Sequence, residues 1–188
     1  MFKLFMDNPL VDLYEERDNK TLMRLMSTSA SVNQIVLGKI IRCFLICFIV
    51  EILLVLVTMM LFGIKWGNPL WLTVVAFTMN MSITGTLALV YGLMKSKDGS
   101  NAVILIVVLF TAFMSGSLFP FENMPEFLQK IGEWVFNRWG IVGIRGVMNG
   151  LSLDKILPSI VKLFTYGIVT TLLGSWFLKR RMESGEVS

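Results

Sequence analysis

Four long apolar runs limit the folds open to this chain more than any other feature of its sequence. They lie at about 40–62, 70–94, 101–119 and 156–178. A bilayer core of about 30 Å is crossed by about 20 residues of helix. Inside that core every backbone N–H and C=O must pair within its own segment, so such runs are helices. Composition agrees. Of the 188 residues 55% are hydrophobic and 16% charged, with a mean hydropathy of +0.71, where an ordinary soluble domain carries about 25% charged residues. The expected fold is an all-α integral membrane protein of about four transmembrane helices.

Residues 1–31 read differently from the rest. Leu10, Leu13, Tyr14, Leu22, Leu25 and Met26 recur at near-helical spacing, with Asp12, Glu15, Glu16, Arg17, Asp18, Lys20 and Arg24 between them. This pattern predicts an amphipathic surface helix that is too charged to span. It ends at Ser27–Ser31, a run that favours turns and caps. Ser31 followed by Gln34 fits a capping box, so a new helix is expected from Val32. The chain therefore divides into an amphipathic segment, 1–31, and a transmembrane domain, 32–188.

Residues 120–155 separate the third and fourth runs and are mixed in character. Phe127, Leu128, Ile131, Trp134 and Val135 share one helical face, opposite Glu126, Gln129, Lys130 and Glu133. Pro125 suits the first turn of such a helix. Trp134 and Trp139 are ring types that favour the membrane–water boundary. A helical segment lying in the outer interface, or re-entering partway, is expected here. Gly140, Gly143, Gly146 and Gly150 make the following stretch flexible or closely packed.

Basic residues set the expected orientation. Eleven of the 17 Lys and Arg fall before or at the very start of the first run, between the second and third, or after the fourth. All three places lie on one side of the membrane, which the positive-inside bias identifies as the cytoplasm. Both termini are then cytoplasmic, and the segment at 120–155 faces outward. The expected location is the cell membrane.

Several function classes are disfavoured. Histidine is absent, which removes the usual general base, metal ligand and pH switch together. Cys43 and Cys47 lie four apart inside an apolar run, where small packing residues are the expected role. No phosphate-binding Gly-x-x-x-x-Gly-Lys-Ser/Thr loop occurs. No basic cluster alternates with exposed aromatics, so a nucleic-acid partner is not expected. The chain is not read as an enzyme, and no cofactor or metal is assigned to it.

Four residue groups in fixed order carry a more specific resemblance: Glu15–Arg17 with Lys20–Leu22 and Arg24–Leu25; Gln34–Lys39; Ser115–Pro125; and Gly143–Arg145 followed by Gly150. Together they resemble the C-terminal part of type-2 ABC transporter permeases, the membrane subunits of exporters. The resemblance implies that the amphipathic helix is a cytoplasmic coupling helix. Glu16, Arg17, Thr21, Leu22, Arg24 and Leu25 would then contact an ABC ATPase subunit that binds ATP. It also implies a second permease copy or homologue, membrane lipid as surroundings, and short outer helices opened by Ser115–Pro125. Members of this family normally have six spans, so the first two are expected from another chain, or from sequence lost or assigned elsewhere. The alternative is a structural or regulatory membrane protein derived from such a permease that does not itself transport.

Glu51 is the one acidic residue deep in an apolar run. A charge at a helix centre costs about 2.5–3.5 kcal/mol on insertion scales, so such residues face a bundle interior or cavity. Glu51 is read as lining a translocation path, or as pairing with Asn80 or Thr84 on the second run. A protonated carboxyl hydrogen-bonded for packing stays open beside that reading. Ser82, Gly85 and Thr86 on the second run, and Thr111 and Ser115–Ser117 on the third, read first as small residues for close helix packing.

Overall fold

The computed structural model describes residues 31–183 together with Leu10. Among the described residues the regular structure is helical: α1 (Val32–Phe62), α2 (Pro69–Leu93), α3 (Lys97–Met114), a 3-10 turn at Phe121–Asn123, α4 (Glu126–Gly132), α5 (Phe136–Met148) and α6 (Leu153–Glu183). Four of these, α1, α2, α3 and α6, are long and apolar enough to cross a membrane. The expected helix at 1–31 lies outside the described residues.

The helix ends follow local chemistry. At Ser31 the capping box forms in full: Ser31 Oγ accepts from Gln34 N–H at 3.4 Å, and Gln34 Oε1 accepts from Ser31 N–H at 2.9 Å. This satisfies two donors that a helix start otherwise leaves unpaired. α1 closes at Gly63, whose φ of 62° places it in the left-handed region suited to a C-terminal cap. α2 opens on Asn68, whose side chain accepts from Leu70 N–H at 3.0 Å, with Pro69 at the first helical position. Its C-terminus is capped from another helix, because the Arg181 guanidinium of α6 donates to the carbonyls of Tyr91 and Met94. A cation there also opposes the negative end of the helix dipole.

Three ends differ from the sequence expectation. The apolar run at 101–119 continues to Phe119, but α3 stops at Met114. Gly116 takes a φ of 84° and the chain turns back, so Phe119 lies edge-on to Phe113 at 5.7 Å. Hydropathy does not register such a turn. The face drawn through Phe127–Val135 is likewise split: α4 ends at Gly132, and Val135 starts α5 as its N-cap. α6 begins one turn before the apolar run and carries Lys179–Arg181 in helical form rather than as a tail.

α2 and α6 form the spine of the bundle. They run side by side in the same direction, and small residues let their backbones approach. A Cβ on Gly174 would stand 2.6 Å from Leu89 N and 2.7 Å from Ala88 C, and one on Gly167 would stand 3.1 Å from the backbone of Met81 and Ser82. Gly85 and Gly92 return the contact from α2, seven residues apart like Gly167 and Gly174. A seven-residue repeat of glycines keeps one seam facing its partner along two near-parallel helices. Ser82 Oγ crosses this seam to the carbonyl of Leu163 at 2.8 Å.

Two apolar clusters hold the ends of the bundle. At the end where α2 and α6 finish, Ile35, Val36, Ile40 and Cys43 of α1 pack on Leu87, Ala88, Tyr91, Ile104, Leu178 and Met182, and Leu10 is buried with them. At the other end Leu72, Val75, Val147 and Ile156 pack with Trp66 and Trp71 beside them. Outside these clusters α1 and α3 present aliphatic side chains outward, Ile41, Leu45, Ile49, Ile106 and Leu109 among them. Exposed aliphatic faces of this length are what a lipid environment requires.

Candidate functional site

Two polar regions lie within the span-forming helices. The first is on the facing sides of α1 and α2. Cys43, Cys47 and Glu51 follow one another at intervals of four on α1, so they share a face. The two thiols are neighbours one turn apart, and the Glu51 carboxyl lies within reach of the Asn80 side chain on α2. Asn80 is itself buried, and its Oδ1 accepts from Thr84 Oγ1 at 3.2 Å. A chain of three polar side chains thus crosses from α1 into α2 in an otherwise apolar setting. Phe44 and Phe48 of α1 also meet Phe77 of α2, with Phe44 and Phe77 edge-to-face at 5.1 Å. Glu51, Asn80 and Thr84 are therefore brought together, and either a path-lining or a packing role for them fits this contact.

Glu16, Arg17, Thr21, Leu22, Arg24 and Leu25, expected to contact an ATPase subunit, all lie outside the described residues. The small-residue stretches divide between roles. Ser82 and Gly85 serve the α2–α6 seam, as close packing predicts. Thr86 also reaches α6, through its hydroxyl. Its Oγ1 donates to the carbonyl of Ser82 at 2.8 Å and lies 3.3 Å from the Tyr166 hydroxyl of α6.

The second polar region surrounds a cleft of about 140 Å³ between α2 and α3. Ile83, Leu87 and Val90 line it from α2, and Ile104, Val107 and Val108 from α3. Thr86, Thr111, Ala112, Phe136 and Asn137 complete its lining. The start of α5 forms its roof. Phe136 stacks on Tyr166 at 5.1 Å, and Asn137 Nδ2 donates to Ser115 Oγ at 3.0 Å. These contacts seat the start of α5 on α6 and on the end of α3.

The same segment is fastened further along. Arg138 lies over the Phe121 ring at 3.7 Å, and Lys162 of α6 lies over Trp139 at 3.3 Å. Partial burial holds the Arg138 guanidinium below its ordinary range, with Glu122 opposing that shift. The glycines of α5 are buried and closely packed, which answers the question their sequence left open. Gly140 abuts Met79, and Gly143 abuts Val75. Trp134 stands exposed beside them.

Sequence reading did not single out Tyr166, Phe136 or Asn137. An isolated tyrosine in an apolar run and an asparagine between a phenylalanine and an arginine carry no motif. Their relation arises only where α5 folds back over the cleft. Among the described residues no group of three or more His, Cys, Asp or Glu could hold a metal ion.

Comparison with known proteins adds to this geometry. The profile of a family described as "ABC-2 family transporter protein" matches residues 8–176. The linearmycin resistance permease protein LnrN of Bacillus subtilis (strain 168) is 28% identical over 163 residues, covering 86% of this chain and 42% of LnrN. The chain thus spans less than half the length of that relative. No solved structure matches it.

Proposed function

The chain belongs to the ABC-2 family of transporter proteins, and we propose that it acts as the permease part of an ABC exporter powered by a separate ATPase subunit. The observation that carries this reading is the family match across nearly the whole chain, on a multi-pass bundle whose spans hold buried polar groups. The helices supply passage and the partner supplies energy. ATP binds on that partner, and its hydrolysis drives the change in access. Residues 16–25 receive that motion at the cytoplasmic side, and α1, entered directly from this segment, carries it into the bundle.

Under this reading both termini are cytoplasmic, the α4–α5 segment caps the outer face, and a second permease copy or homologue completes the passage. LnrN is named for resistance to linearmycin, and export of an antimicrobial compound is the corresponding role here.

Affinity purification of the tagged full chain from intact membranes tests the complex. An ABC ATPase subunit co-purifies with the wild-type chain, and Arg17→Glu with Arg24→Glu reduces its recovery several-fold. Recovery of no ATPase from membranes that contain one refutes the reading.

A further inference from the structure

We propose that the cleft between α2 and α3 binds an uncharged amphiphile, its hydrocarbon chain against the aliphatic walls and a hydroxyl or amide group at the Thr86–Asn137 end. The proposal rests on the exporter reading only in naming the occupant as cargo. The binding itself follows from the shape and chemistry of the cleft.

Size comes first. A cavity of about 150 Å³ lined by aliphatic and aromatic side chains takes up an apolar molecule as large as benzene, and this cleft measures about 140 Å³. The α3 wall runs from Ile104 to Ala112, which at 1.5 Å per residue is about 12 Å of helix. That shape suits a segment of extended chain. Ile104 is buried at the inner end, and Val108, 38% exposed, stands at the open rim. An occupant can therefore enter sideways from the bilayer, beneath the roof formed by α5.

Chemistry narrows the class. No charged side chain lines the cleft, so a carboxylate or ammonium group would lose its hydration there without a counter-charge. A plain alkyl tail, such as a bulk lipid contributes, has no use for the three polar side chains in the lining. Thr86 spends its hydroxyl hydrogen on the Ser82 carbonyl, and Thr111 spends its own on Val108. The Tyr166 hydroxyl, 3.3 Å from Thr86 Oγ1, takes one lone pair there, so one acceptor site remains on Thr86 and two on Thr111. Asn137 spends one amide hydrogen on Ser115 Oγ and brings the lining a side chain with both donor and acceptor groups. The best-matched ligand is neutral and presents an O–H or N–H near one end.

The test uses the full chain in native membranes and two photoactivatable probes, a long-chain alcohol with a diazirine in its chain and the corresponding alkane. Cross-linked positions are read by mass spectrometry. The alcohol should label Leu87, Val90, Ile104 and Val107 several-fold more than the outward-facing Ile106, Leu109 and Phe110. Ala112→Phe, which fills the cleft, should cut cleft labelling about five-fold or more and leave the outward positions unchanged, which also reports that the helix remains in place. Thr86→Val, nearly isosteric, should bring the alcohol down to the level of the alkane. Equal labelling of the two faces of α3, or indifference to Ala112→Phe, overturns the site. An alcohol preference that survives Thr86→Val overturns the assignment of its polar end. Cleft labelling without energy-dependent export of the alcohol would count against the exporter reading and leave the site standing. Export that persists with an unlabelled cleft would do the reverse.

Discussion

Gly174→Ala should destabilise the bundle, and the structure sets the size of the effect. The added methyl would lie 2.6 Å from Leu89 N, 2.7 Å from Ala88 C and 2.8 Å from Ala88 Cβ. Carbon contacts are comfortable at about 3.5–4.0 Å, so α2 and α6 must part by about 1 Å, a gap that forfeits up to half of the dispersion energy at each affected contact. Two of these neighbours are backbone atoms and the third is a Cβ, so no flexible side-chain end can yield. Overpacking in tight interiors costs about 1–3 kcal/mol, and this site belongs at the upper end. Alanine returns about 1 kcal/mol of helix propensity over glycine. The net loss is about 2 kcal/mol, or about 30-fold in the folding equilibrium. Gly38→Ala supplies the control, because Gly38 lies in α1 with no atom within 4 Å of the added methyl. The same change there should be neutral or stabilising by up to about 1 kcal/mol. Both variants, purified in detergent, can be compared by unfolding in mixed micelles of increasing SDS fraction. If Gly174→Ala unfolds no earlier than Gly38→Ala, the close approach of α2 and α6 is not what the geometry implies.

Three further outcomes follow from individual residues. Ser31→Ala removes one half of the capping box and should weaken the start of α1 by about 0.5–2 kcal/mol, seen as faster amide exchange at Gln34 and Ile35 with little change beyond Ile40. Gly116→Ala forces an L-residue into a φ of 84°, at about 1–2 kcal/mol, and sets its methyl 3.0 Å from Phe121 Cβ; exchange across 115–121 should rise and overall stability fall. Glu51→Gln keeps an amide that can bond Asn80, so stability should change by less than about 1 kcal/mol. If the Glu51 carboxyl serves the translocation path, export by the assembled complex should fall several-fold in this variant, and unchanged export would assign the cluster to packing.

The hydropathy pattern alone decided much of the architecture, because lipid leaves the backbone one local solution. Each long apolar run had to become a helix, whatever its neighbours. The Ser31–Gln34 capping box was equally legible, since its hydrogen bonds lie within one helical turn. Glu51 was singled out for a similar reason: one carboxyl in an apolar run is conspicuous and needs a polar neighbour, and Asn80 was among the few available. The end of α3 was not legible. A turn at Gly116 inside an apolar stretch depends on α5, which packs back onto it through Asn137 to Ser115 and Arg138 to Phe121.

The four spans that most constrain this chain were thus determined by sequence, and their mutual arrangement was not. Nothing in the spacing of Gly85, Gly92, Gly167 and Gly174 says which helix each faces; glycine marks a place where another backbone can approach without naming the partner. Tertiary structure made that choice by pairing α2 with α6, and it created the cleft beside α3 by folding α5 over it. Helix formation in a membrane is a contest each segment settles with itself. Packing is settled between segments, by shape and by polar groups whose partners lie as far as 90 residues away, as Arg181 and Tyr91 do.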